Sequence, residues 1–218
     1  MTPLAEIISA EIAARGDMPL SRYMELCLTH PVHGYYTTRD PLGVSGDFTT
    51  APEVSQMFGE LIGAWLVAAW QAMGAPRRFT LMEAGPGRGT LISDALRAVQ
   101  KVPEFIPSAS LHLLETSPVL RQRQAVSLSV YNPIWHDDLN AVPDDAPVLF
   151  VGNEFLDALP VDQLRLEPEG WKQVCIGLTD NPAEPFRFTA QTAPQNLLDL
   201  IPKRLMAYAQ GSVVEVSL

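Results

Sequence analysis

The sequence predicts an α/β fold: a doubly wound parallel sheet with a helical N-terminal extension and a small antiparallel meander. Three observations predict it. Strand-like and helix-like runs alternate from Phe79 to about Gly152. A glycine-rich turn, Gly85-Pro86-Gly87-Arg88-Gly89, joins the first of those strands to the first of those helices. Beyond Val161 the alternation gives way to short strand-like runs parted by Glu-Pro-Glu-Gly and Asp-Asn-Pro turns.

Each element follows from local pattern. Leu4, Ile7, Ile8 and Ile12 recur at helical spacing from Pro3 to Ala14, and Gly16 closes that helix. Pro19 opens a second helix with Tyr23, Met24 and Leu26 to Leu28 inward. His30 to Pro52 is dense in Gly, Pro, Thr and aromatic residues and reads as a long ordered loop. Ser55 caps a helix running to about Met73, with Phe58, Ile62, Trp65, Leu66 and Trp70 expected on its buried side. Strand Phe79–Glu83 and helix Thr90–Gln100 flank the glycine turn. Strand Ser110–Glu115 precedes helix Ser117–Ser127, which Ser117 caps with Pro118 in first position. A third strand ends near Trp135, and Pro147–Gly152 is apolar enough for a buried parallel strand. Gln163–Leu166, Trp171–Leu178 and Pro185–Thr189 form the meander. The expected division is 1–75 for the N-terminal helices and loop, 76–162 for the parallel core, and 163–218 for the inserted meander and the start of a missing C-terminal part.

Composition narrows the function. The chain has 218 residues, 47% of them apolar, which suits one large domain or one domain with an added subdomain. A net charge of −10 disfavours non-specific nucleic-acid binding, which depends on Lys and Arg. A basic peptide or protein partner fits that charge, and so does plain solubility. Cys27 and Cys175 have no metal-type spacing, and both are expected to be reduced in a cytosolic setting. The N-terminus shows no basic-then-apolar signal and is too acidic for a transit peptide. Glu60, Gln71, Gly59 and Gly63 interrupt the apolar run Met57–Met73, which reads as a buried helix rather than a membrane span.

The candidate site begins at the glycine turn. Glycine allows unusual dihedrals and close approach to a ligand, and the amides of the next helix favour a negative group. A dinucleotide fingerprint reads G-x-G-x-x-G, with an acid about 20 residues on. Here Gly85, Gly87 and Gly89 give G-x-G-x-G, with Glu83 just before them. That pattern resembles the first motif of S-adenosylmethionine-dependent methyltransferases, in which the acid helps to hold the methionine end. Glu115, ending the second strand, can accept hydrogen bonds from both ribose hydroxyls. Asp137 and Asp138, after His136, are candidates for the adenine amino group, a helix cap being the alternative. Asn153, Glu154 and Asp157 follow the fourth strand, where open α/β sheets carry their reactive edge. Glu154 and Asp157 can orient a basic acceptor or cap the next helix. Asp47, in Gly46-Asp47-Phe48, is a candidate for closing over cofactor or acceptor, a tight turn being the alternative. His30, His33, His112 and His136 have no metal-ligand spacing and are expected to be structural or surface groups.

Several segments together resemble one family, the MidA-like S-adenosylmethionine-dependent methyltransferases. They are His30-Pro31 with Gly34-Tyr35-Tyr36, Gly46-Asp47-Phe48-Thr49-Thr50 with Pro52-Glu53-Val54-Ser55, and Glu83 to Leu91. Leu114 to Pro118, Trp135-His136-Asp137 and Asn153 to Pro160 come next, in family order. The resemblance implies a Rossmann-like methyltransferase sheet and S-adenosyl-L-methionine as cofactor. It implies a protein arginine N-methyltransferase acting on a subunit of NADH:quinone oxidoreductase, complex I. Bacterial members would be cytoplasmic and eukaryotic relatives mitochondrial. By position, Glu83, Gly85, Gly87, Gly89, Glu115, Asp137, Asp138 and Asn153 would bind cofactor. Glu154, Asp157 and Asp47 would be catalytic, near the acceptor, with no metal. The family usually reads Glu-Val-Ser-Pro and continues where this chain reads Glu215-Val216-Ser217-Leu218, so a C-terminal truncation is expected. A non-catalytic complex I assembly factor and a small-molecule methyltransferase are the alternatives, and self-association into a homodimer stays open.

Overall fold

The structure is a computed structural model that describes residues 1–38, 50–202 and 208–217. Asp47, with the Gly-Asp-Phe segment around it, lies outside the described residues. The chain divides into two compact units, Met1–Arg39 with Ala158–Leu218, and Asp40–Asp157.

Helix α1 (Pro3–Arg15) starts where the Thr2 side chain accepts from the Ala5 amide, and it ends at Gly16, whose φ of 87° closes the helix. Strand β1 (Met18–Pro19) leads to α2 (Leu20–Thr29) and the short α3 (Tyr35–Thr38). After the one-turn α4 (Ala51–Val54), the Ser55 side chain accepts from the Met57 amide and opens α5 (Gln56–Ala72). There follow β2 (Phe79–Ala84), α6 (Thr90–Ala98), α7 (Phe105–Ser108), β3 (Ala109–Leu114) and α8 (Pro118–Ser127). Strands β4 (Ile134–His136) and β5 (Val148–Val151) complete this unit, which ends in a 3₁₀ turn at Leu156–Ala158. The remainder is β6 (Asp162–Glu167), β7 (Gly170–Leu178), β8 (Phe186–Thr192), α9 (Gln195–Leu198) and β9 (Val213–Val216).

In the unit Asp40–Asp157 the sheet is parallel with strand order β4-β3-β2-β5. One row of side chains on it, Phe79, Leu81, Leu111, Leu113 and Leu149, packs with Leu66 and Trp70 of α5, Ile92 and Leu96 of α6, and Leu128. Trp70 meets Phe105 edge-on at 5.5 Å, and Phe105 lies 5.3 Å from Phe79. The strand order steps outward from β2 to β4 and then returns to the other side of β2. The reversal makes a crevice beyond the carboxyl ends of β2 and β5, where open sheets of this type hold ligands.

Two expectations for this unit fail. Trp65 is 55% exposed rather than buried. The inward face of α5 centres on Gly59, Gly63, Leu66 and Trp70, because the two glycines let its backbone approach α6. A Cβ on Gly63 would lie 2.5 Å from the Ala95 carbonyl oxygen. That rotation carries Trp65 outward. Strand β5 is parallel as expected, but Val148 and Phe150 are 43% and 47% exposed. Val148 and Phe150 point to the face opposite Leu149, and among the described residues β5 is also an edge strand, paired only with β2.

The other unit is an antiparallel sheet in the order β1-β7-β6-β9, with β8 on β7. Strands β1 and β9 are not apparent from sequence pattern. Ile8, Ile12, Leu20 and Leu26 of α1 and α2 share a core with Val174 and Ile176 of β7. Leu164, Leu197, Ile201 and Val216 make a second cluster. Cys27 and Cys175 are both free thiols. Among the described residues no helix is long and apolar enough to cross a membrane.

Candidate active site

The turn after β2 is built from backbone that only glycine adopts easily. Gly85, Gly87 and Gly89 have φ of 63°, 55° and 80°. The Gly85 amide donates to the Leu114 carbonyl at 3.1 Å, and the Gly89 amide to the Pro86 carbonyl at 2.8 Å. A Cβ on Gly85 would sit 2.8 Å from the Phe155 ring. The segment after β5 therefore presses directly on the turn after β2, at the crevice.

Glu83 occupies the end of β2 in the same side-chain row as Phe79 and Leu81. It is 2% exposed, and its Oε2 has no hydrogen-bond partner. Burial pushes its carboxyl up to about 8. A buried acceptor without a donor is costly in isolation and suits a site that a ligand completes.

Glu115 follows β3, its amide held by the His136 carbonyl at 3.1 Å. Its Oε1 accepts from the Ser117 amide at 2.8 Å and its Oε2 from Gln124 Nε2 at 3.2 Å. Burial raises this carboxyl, and the hydrogen bonds from Ser117 and Gln124 counter that rise. The same Gln124 Nε2 donates to the Gly87 carbonyl at 2.7 Å, while Gln124 Oε1 accepts from the Trp135 indole at 2.8 Å. Gln124 is completely buried. It joins the glycine turn, Glu115 and β4 in one network, and motif reasoning passes over it. The available signal was its place on the inward stripe of α8, four residues from both Leu120 and Leu128, where an amide must find partners.

Arg121 extends the network. Its Nε donates to the Glu115 carbonyl at 2.6 Å and its Nη2 pairs with Asp137 at 2.7 Å. Asp138 instead accepts from the Asn140 amide at 2.8 Å and caps the short helix Leu139–Ala141. Asn153 is half-buried, whereas Glu154, at φ 53°, and Asp157 are exposed. None of these last four is bonded to the Gln124 network among the described residues. His112 is buried and stacks on His136, Nδ1 to Nε2 at 2.8 Å, with Ser110 Oγ 2.9 Å from His112 Nε2. Among the described residues no group of His, Cys, Asp and Glu could hold a metal ion.

The model of a family described as "Putative S-adenosyl-L-methionine-dependent methyltransferase" matches residues 61–218. The chain belongs to this methyltransferase family. The match, with the relatives below, bears out the MidA-like resemblance. Protein arginine methyltransferase NDUFAF7, mitochondrial, of Homo sapiens is 36% identical over 212 residues, covering 86% of this chain and 48% of that protein. The mitochondrial homolog of Drosophila melanogaster is 38% identical over 200 residues, covering 82% and 45%. The chain thus spans about half the length of the curated relatives it matches. A crystal structure of a superfamily member from Burkholderia thailandensis, bound to S-adenosyl-homocysteine, superposes with a TM-score of 0.75. It is 30% identical and covers 98% of this chain and 55% of its own. The Rossmann-like sheet expected for the family is the one seen in β4-β3-β2-β5.

Proposed function

We propose that the chain carries the cofactor-binding part of an S-adenosylmethionine-dependent methyltransferase whose acceptor is a protein arginine. The observation that carries this reading is the Glu115 carboxylate, tied through Gln124 to the three-glycine turn at the sheet's crevice. The donor set fits the cofactor. Glu83 offers an unfilled buried acceptor to the methionine end, Glu115 an acid to the ribose hydroxyls, and the glycines a turn free of side chains. Asp137 or Asp138 would meet the adenine amino group, and Asn153 would border the cofactor. Bound there, S-adenosylmethionine supplies an electrophilic methyl group.

The acceptor must then be oriented. An arginine side chain stays protonated in water. Glu154 and Asp157, on the segment after β5, and Asp47 are the acids we assign to hold its guanidinium and localise its charge. Positioning carries most of the acceleration in such a displacement. We assign the acceptor to a subunit of NADH:quinone oxidoreductase, and the compartment to the bacterial cytoplasm, on family likeness. The human and Drosophila relatives are named as mitochondrial proteins.

Isothermal titration with S-adenosylmethionine, and with NAD as control, tests the reading. Heat with the first and none with the second is expected. Glu115→Ala should weaken binding at least about tenfold, through lost hydrogen bonds to a charged acceptor. Glu154→Ala and Asp157→Ala should keep binding and lose methyl transfer to protein. No heat with S-adenosylmethionine would sink the proposal. Binding without transfer to any protein would move it to a non-catalytic assembly factor.

A further inference from the structure

Glu53 lies on α4, and its carboxylate reaches the glycine turn. Oε1 accepts from Thr90 Oγ1 at 2.7 Å, and Oε2 lies 3.6 Å from Arg88 Nη1. The Glu53 side chain is only 16% exposed. Arg88 and Thr90 flank Gly89, the last glycine of the turn and the N-cap of α6. A glycine has no side chain with which to cap, and no side-chain cap bond is made there. Glu53 brings a carboxylate to that helix end from 37 positions upstream. Negative charge is favoured at such an end.

The turn needs an outside hold. Three glycines at positive φ in five residues lose more backbone freedom on ordering than any other composition would. Pro86 restricts one position. Gln124 grips the Gly87 carbonyl from α8. Glu53 grips both neighbours of Gly89 from a different element. The two contacts bracket the second half of the turn.

We propose that Glu53 is a positioning residue for the cofactor turn, acting through Thr90 and Arg88 without touching the cofactor. This rests on the cofactor reading above. It also gives the Pro52-Glu53-Val54-Ser55 segment a task. The acid is needed twice, as acceptor for Thr90 and as charge beside Arg88. Glutamine preserves only the first function.

The test is S-adenosyl-homocysteine titration on the 218-residue chain, together with amide NMR of Gly85, Gly87 and Gly89 in the ligand-free protein. Glu53→Ala should weaken binding about tenfold, the scale of one hydrogen bond to a charged group. Glu53→Gln should recover only the part of that loss carried by Thr90. Thr90→Val should lose less than Glu53→Ala, and the double variant should be no worse than Glu53→Ala alone. All variants should shift the glycine amides. Unchanged affinity in Glu53→Ala, or additive losses in the double variant, would overturn the proposal. Thr90→Val is near-isosteric and carries the test if Glu53→Ala does not fold. If the unmodified chain bound no S-adenosyl-homocysteine, the cofactor reading would fail on its own account. The glycine amides would still decide the contact, with unmoved resonances refuting it.

Discussion

Leucine at position 124 would strip partners from three groups at once: the Trp135 indole, the Gly87 carbonyl and Glu115 Oε2. Each buried group left unpaired costs about 1–3 kcal/mol, so Gln124→Leu should lower stability by at least about 3 kcal/mol in urea denaturation. Gln124→Glu separates the chemistry from the shape. It keeps the volume but replaces the donor to Glu115 with a second acid. It should lose S-adenosyl-homocysteine affinity as fully as leucine does, and affinity equal to the native chain would refute the donor role. Glu83 calls for a pH experiment. Burial moves its carboxyl from 4.5 to about 8, so between those values the folded chain holds a proton that the unfolded chain has released. Its contribution to stability is complete below about 4.5 and is lost as pH rises toward 8. The melting temperature of the free chain should therefore fall from pH 5 to 8, and Glu83→Gln should flatten that slope. Equal slopes would mean that Glu83 is not buried in the free protein.

The helix α5 shows how far local pattern reaches. Ser55 as its cap and the length of the helix were legible, because both are set within a few residues. The same holds for Pro118, Gly16 and the strand–turn–helix around Gly85. The rotation of α5 was not legible. An apolar sequence on every side gives no preferred face, and it was the fit of Gly59 and Gly63 against α6 that chose one. Strands β1 and β9 were missed for a related reason. Two residues at Met18 and four at Val213 become strands only by pairing with Ile176 and Arg165, far away in sequence. In the site, the acids and glycines were readable as a motif, whereas Gln124 mattered through partners on three other elements. Gly63→Ala probes the close approach. Alanine favours an isolated helix by about 1 kcal/mol over glycine, but the clash with Ala95 should outweigh this and cost about 1–3 kcal/mol net. The urea midpoint should fall. Trp65→Ser, on the exposed face, should stay within about 0.5 kcal/mol. A Gly63→Ala chain more stable than the native one would show that the approach is not tight.

At the scale of the molecule, charge and topology act together. The strand order puts the glycine turn and the Asn153–Asp157 segment at one crevice, and the chain as a whole carries a net charge of −10. Attraction of an arginine-bearing basic peptide should be long-ranged and therefore screened by salt. Its dissociation constant should rise severalfold between roughly 50 and 300 mM salt, as the Debye length shrinks from about 14 to about 6 Å. A salt-independent constant would remove charge from the account of partner choice. The division into two units also reaches into chemistry that has nothing to do with methyl groups. Both cysteines fall in the unit of Met1–Arg39 with Ala158–Leu218, and the glycine-turn unit has none. Burial raises the Cys27 thiol and pushes that of Cys175 up to about 11, so little thiolate exists at neutral pH. Alkylating reagents should reach the buried Cys175 of the native chain slowly, at a rate set by how often β7 comes away from its core. Labelling kinetics would then time the opening of that unit alone, against a silent background from the cofactor turn.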